Sequence, residues 1–196
     1  MIVTASRQRL LVITDTTQCG RPLVDQIKLA LQGGPFNVLL RDKHLPWDAR
    51  QDLAAQLTPL MVAHDAQLIV SDPPEQCEAV HLSASAQRPR RRPALLGRSV
   101  HPGEVVDVSL DYVTYSPVYP TASKPGYGPA VGLRGLREFC REYPIPVVAL
   151  GGITGPQQAR DCRRAGAWGV AVMGAVMSAN EPHTVVAGLR EAIESR

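Results

Sequence analysis

Ile145-Pro-Val-Val-Ala-Leu-Gly151-Gly152-Ile153-Thr154, followed one helix later by Gly169-Val-Ala-Val-Met173-Gly174-Ala175, decides the fold. Each half is an apolar run of strand length that ends in glycine where a helix can begin. Glycine lets backbone N–H groups approach an anion closely, and a helix N-terminus adds partial positive charge, so the pair reads as a phosphate cradle. In a (β/α)8 barrel such a cradle follows strands seven and eight.

Outward from that stretch the same alternation persists. Strands are expected at 10–15, 36–41, 66–71, 79–82, 94–99, 111–115, 147–150 and 168–173, and helices at 23–32, 48–64, 132–143, 155–165 and 182–194. After the third strand Asp72-Pro-Pro74 permits only a short turn or helix, and a brief helical stretch is expected near 103–109. Proline at 156 and glycine at 166 bracket the helix between the two glycine turns. Repeated βα units without a composition break predict an α/β protein, a single TIM-barrel domain over residues 1–196. The runner-up is an open doubly wound sheet. At 196 residues the chain is short for a barrel of about 250, so its loops must be lean. The long Gly/Pro-rich loop 116–129 therefore stands out as functional.

Composition narrows the function classes. With 44% hydrophobic and 20% charged residues the chain is globular, and a net charge of +3 gives little reason to expect a nucleic-acid partner. The basic run Arg88-Pro-Arg90-Arg91-Arg92-Pro93 is flanked by prolines and has no interleaved aromatics, so it reads as a solvated loop. No apolar run approaches the roughly 20 residues that span a bilayer. Cys19, Cys77, Cys140 and Cys162 lack CxxC spacing and follow no signal-peptide pattern, which predicts reduced thiols, no zinc site and a soluble cytoplasmic protein.

In this fold the chemistry lies where strands end. Those positions hold Asp15, Arg41, Lys43, Ser71, Asp72, His81, Ser99 and His101, then the segment 116–124 and the two glycine turns. Arg41 and Lys43 suit a phosphate or pyrophosphate, or else a salt bridge to Asp15 or Asp42. Lys124 follows Thr121-Ala-Ser123 on the longest loop, a grouping that could wrap an anion and donate a proton. His101 could shuttle a proton, whereas His81 could be an inward packing residue.

Taken together, Leu40-Arg-Asp-Lys43, Val80-His-Leu82, Gly97-Arg-Ser-Val-His101, Asp111-Tyr-Val113, Ser116-Pro-Val-Tyr-Pro-Thr121 and Val147-Val-Ala-Leu-Gly-Gly-Ile153 resemble the thiamine phosphate synthase/TenI family. The resemblance runs from Leu11 to Val176. It implies a (β/α)8 barrel that holds a phosphorylated thiazole on Gly151, Gly152, Met173 and Gly174. It also implies Arg41, Lys43, Ser99 and Lys124 facing a pyrophosphate, with Thr121 nearby. The synthase branch joins the thiazole to a pyrimidine methyl pyrophosphate with magnesium. Its members usually carry glutamine at the place of Leu39, asparagine at that of Ser71 and an aspartate at that of Ala86. The Gly97–His101 and Leu82–Ser85 stretches look more like the TenI branch, which aromatises a thiazole carboxylate phosphate without metal, although its usual histidine falls at Pro117. The expectation is therefore a metal-independent thiazole tautomerase with Lys124 or His101 moving the proton, no cofactor and a possible homodimer. A magnesium-dependent synthase or a non-catalytic thiazole-phosphate-binding barrel are the alternatives.

Overall fold

The computed structural model describes residues 8–121 and 129–195. Eight short parallel strands close into a barrel in chain order: β1 Leu10–Ile13, β2 Asn37–Leu40, β3 Leu68–Ser71, β4 Ala79–Leu82, β5 Leu95–Val100, β6 Tyr112–Tyr115, β7 Val147–Leu150 and β8 Gly169–Val172. β8 pairs with β1, so no edge is left open. The helices are α1 Leu23–Leu31, α2 Trp47–Ala63, α3 Gly132–Glu142, α4 Pro156–Arg164, α5 Gly174–Met177 and α6 Pro182–Glu194. A 3-10 turn, Thr16–Gln18, follows β1.

Strand alternation sorts the core into two shells. Leu11, Ile13, Leu39, Ile69, Leu95, Tyr112, Val148 and Ala171 fill the barrel interior. Leu10, Val12, Val38, Leu40, Val113 and Val170 point outward into the larger cluster formed with the helices.

The sequence expectations differ from the structure in the connections. No helix forms at 103–109: the segment is built from turns, with Val105 94% exposed and Val106 tucked beneath. The crossovers after β3, β4 and β5 all run without a helix. Pro73-Pro74, the proline-punctuated arginine run and Pro102-Gly103 each interrupt helix formation there. These three economies explain how fewer than 200 residues close a barrel. Conversely, the helix that the second glycine turn allows, α5, is a separate four-residue element whose range the sequence does not show, because so short a helix carries no readable periodicity. Gln26 of α1 holds it, donating from Nε2 to the carbonyls of Val176 at 2.6 Å and Ala179 at 3.0 Å.

The arginine run is partly engaged. Arg88 pairs with Asp107, and Arg92 pairs with Asp111 at 2.8 Å, fastening the β4–β5 crossover to the β5–β6 crossover.

Candidate active site

One cavity of about 500 Å³ opens at the C-terminal end of the barrel. Its floor is the top of the inner shell: Ile13, Leu39, Leu150 and Ala171. Its rim carries nearly every polar residue that the strand-end rule singles out. Arg41, Lys43, Ser99, His101, Thr121, Gly151, Gly152, Met173 and Gly174 all line it. Lys124 lies outside the described residues.

The glycine side is built from backbone. Gly151 and Gly152 have φ of 99° and 67°, a region that only glycine enters freely. A Cβ at 151 would lie 2.8 Å from Pro117 Cα, and one at 152 would lie 2.4 Å from the Pro120 carbonyl oxygen. Segment 117–120 therefore sits directly on the turn. The amides of Val118 and Tyr119 donate to the carbonyls of Leu150 and Gly151 at 2.9 and 3.0 Å, past the end of β6. The peptide Ser116–Pro117 at the start of this segment is cis. The amides of Gly151 and Gly152 have no acceptor among the described residues. Gly174 differs: no positive φ requires it, and a Cβ there would meet only Gln18 Oε1 at 3.0 Å.

Side chains build the opposite side. Arg41 has no ion-pair partner among the described residues, so its charge is available to the cavity. Lys43 pairs with Asp72 at 2.5 Å, not with Asp15 or Asp42 as the sequence suggested. Asp42 is buried and ties two loops together, accepting from the Thr14 hydroxyl and from the Thr16 amide at 2.5 Å. Asp15 caps the 3-10 turn through Thr17. Asp72 stands at φ 41° after β3, where Arg50 grips the preceding Ser71 carbonyl. Burial alone would raise the Asp72 carboxyl, but hydrogen bonds from Lys43 and Ser83 and the Lys43 charge outweigh it and hold it below the usual carboxylate range.

His81 is the inward residue that the alternation of β4 suggests. It is 3% exposed, and its ring nitrogens reach the Tyr112 hydroxyl and Ser99 Oγ at 3.0 Å each. Burial pushes its pKa from an ordinary 6.5 down to about 4, so the ring is neutral at physiological pH. His101 sits higher on the wall, with Nδ1 3.2 Å from the Glu104 carboxylate.

Thr114, Gln18 and Ser178 are among the lining residues that the strand-end rule does not single out. Thr114 follows the same inward alternation as Tyr112 and Ser116, a signal that period-2 counting on β6 contains. Gln18 and Ser178 come from a 3-10 turn and the end of α5, for which the sequence offers no comparable pattern.

A magnesium ion, implied by the synthase resemblance, would find one carboxylate on the cavity lining, Asp15, which already accepts from the Thr17 amide and Gln18 Nε2, and a second, Asp72, behind Lys43. Asp72 already shares its oxygens with the Ser83 amide and Lys43. The only group of three possible ligands among the described residues is Asp15, Asp42 and His44, whose carboxylates are occupied by the turn contacts above. With Asp15 and Asp72 both engaged by neighbours, the donor set fits magnesium carried in by substrate phosphates and not a self-sufficient metal cage. The thiols offer no nucleophile: burial pushes Cys140 up to about 11 and Cys162 up to about 12, and all four cysteines are free.

Residues 10–176 match the family described as thiamine monophosphate synthase. The chain belongs to that family. It is 34% identical to the thiamine-phosphate synthase of Roseiflexus castenholzii over 94% of this chain and 88% of that one. It is 35% identical to the thiamine-phosphate synthase of Geobacillus kaustophilus, over 96% and 94%. Among solved structures, the thiamine phosphate pyrophosphorylase from Pyrococcus furiosus superposes with a TM-score of 0.75 at 27% identity, covering 96% of both chains. The Amycolatopsis orientalis BexX/CysO complex, at 19% identity and a TM-score of 0.64, shares the fold. No helix among the described residues is long and apolar enough to cross a membrane.

Proposed function

We propose that this family member is a thiamine-phosphate synthase, a transferase joining a pyrimidine methyl pyrophosphate to a thiazole phosphate. The observation that carries this reading is that one cavity has two anion-receiving ends built in different ways. Backbone amides at Gly151 and Gly152 and the start of α5 receive one phosphate, while Arg41 and Lys43 receive a second anion across the apolar floor. A tautomerisation of a thiazole carboxylate phosphate would bring only a carboxylate to the second end, where two cations, Arg41 and Lys43, suit the higher charge of a pyrophosphate. The names of the relatives support the same choice.

In the proposed reaction the methylene–oxygen bond to pyrophosphate breaks, the pyrophosphate leaves with the electron pair, and the thiazole nitrogen forms the new bond to the methylene carbon. Arg41 and Lys43 stabilise charge gathering on the leaving group, and the Ser99 hydroxyl donates to one of its oxygens. Asp72, beside Lys43, would help to hold a magnesium ion that arrives with the pyrophosphate, and that ion would supply further charge neutralisation at the leaving group. The apolar floor of Ile13, Leu39 and Leu150 keeps water from the reacting carbon.

The tautomerase reading retains one observation in its favour, the presence of His101 on the cavity wall. Incubating the protein with both substrates and magnesium decides between the two. Thiamine phosphate and pyrophosphate are expected, with loss of product on chelation. No product, but accelerated aromatisation of the thiazole carboxylate phosphate, would establish the tautomerase instead.

A further inference from the structure

Strand register sets His81, Gly97 and Tyr112 in one row across β4, β5 and β6. Gly97 leaves the middle of that row empty, and the Tyr112 ring fills it: a Cβ on residue 97 would lie 2.2 Å from Tyr112 Cζ. Crossing over the glycine brings the hydroxyl to His81 Nδ1 at 3.0 Å, inside a barrel where both side chains are buried. The other ring nitrogen, Nε2, stands 3.0 Å from Ser99 Oγ, and the Thr114 hydroxyl donates to the same oxygen at 3.4 Å.

Proton counting fixes the direction of this chain. A neutral imidazole donates from one nitrogen and accepts at the other. If Nδ1 carried the proton, it would donate to the tyrosine oxygen, and the Tyr112 O–H would be left without an acceptor among the described residues. With Tyr112 donating to Nδ1, the proton lies on Nε2 and is given to Ser99. Ser99 then accepts from both His81 and Thr114, and its own hydrogen is left to point into the cavity.

We propose that Tyr112 is a positioning residue that, acting through the tautomer of His81, fixes Ser99 as a hydrogen-bond donor to substrate. For the reaction that Ser99 serves, the inference rests on the synthase reading. A core tyrosine thereby gains a role in turnover without touching substrate. Burial holds both partners in the state that the chain needs, since it disfavours the imidazolium of His81 and the phenolate of Tyr112.

Two measurements test it. In the wild-type protein, the imidazole nitrogen resonances of His81 should show the proton on Nε2, and Tyr112→Phe should release a mixture of both tautomers. A proton on Nδ1 in the wild-type protein overturns the inference whatever happens to the variant. In steady-state assays Tyr112→Phe should lower kcat roughly tenfold while KM for both substrates changes less than about twofold, the pattern of an interaction used in the transition state. Introduced into Ser99→Ala, the same substitution should cost less than about twofold more, because both changes remove one donor. Full, independent losses in the double variant would show that Tyr112 acts on stability or packing alone and would overturn the proposal. A wild-type protein that forms no thiamine phosphate removes the synthase reading, and the tautomer measurement then decides the inference by itself.

Discussion

The two sides of the cavity recognise anions by different means. At the β7–β8 side the donors are amides, and the sequence specifies them through the absence of side chains at Gly151 and Gly152. At the β2–β5 side the donors are side chains on a conventional parallel ladder, each replaceable without disturbing the strand beneath. The backbone side is consequently welded into the fold, since the turn that presents the amides is also the turn on which segment 117–120 packs. The side-chain side is where divergence can act, and it holds Leu39 and Ser71, two of the positions at which this chain departs from the synthase pattern it resembles.

The sharpest way to break this contrast is Gly152→Ala. Positive φ and a clash with the Pro120 carbonyl should together cost about 2–4 kcal/mol in denaturant unfolding and abolish thiazole phosphate binding. Unchanged stability would mean that the backbone side is no more constrained than the other.

A comparable effect is expected from acid on His81, on the side-chain side. Its folded pKa of about 4 lies below the ordinary 6.5, so the unfolded chain binds the proton more readily. The neutral ring's contribution is complete above pH 6.5 and is lost as pH falls toward 4, amounting to about 3 kcal/mol. Urea titrations of wild type and His81→Gln across that window should differ in slope; parallel pH dependence would place the acid sensitivity elsewhere.

Smaller again is the effect of removing a cation. Arg41→Ala should weaken pyrophosphate binding about tenfold, consistent with loss of a charge-assisted contact, while leaving thiazole phosphate affinity nearly unaltered by calorimetry. A matched loss for both ligands would show that the two ends are not separate. Gly174→Ala should be the mildest, below about 1 kcal/mol, because helix propensity gains from alanine and only the flexible Gln18 amide must give way. That outcome, set against Gly152→Ala, would show that the glycines of the cradle are not equivalent.

Much of this architecture was legible because it rests on short-range patterns. Strand-length apolar runs mark all eight strands, and polar residues at the strand ends make up much of the cavity wall. The failures have physical causes. The expected helix at 103–109 has apolar residues at suitable intervals, but Val105 and Val108 remain exposed and only Val106 finds a partner surface, so no packing stabilises it. α5 is too short for periodicity and exists because Gln26, some 150 residues earlier, holds its carbonyls. The Lys43–Asp72 pair crosses from β2 to β3 and follows from barrel closure, which nearest-neighbour reasoning about Asp42 does not capture. The link from Tyr112 to His81 is not legible in the sequence, because the two lie two strands apart with Gly97 between them.

The hydrogen bonds from Val118 and Tyr119 to the carbonyls of Leu150 and Gly151 carry one more consequence. They make the entry to the long βα loop a direct extension of the ladder whose far side offers the free glycine amides. Ligand seated on those amides would restrain the same peptide planes that accept the loop's protons. Solvent deuterium should then enter the Val118 and Tyr119 amides more slowly when the thiazole end is filled, giving a record of occupancy at two residues whose own side chains need not meet the ligand.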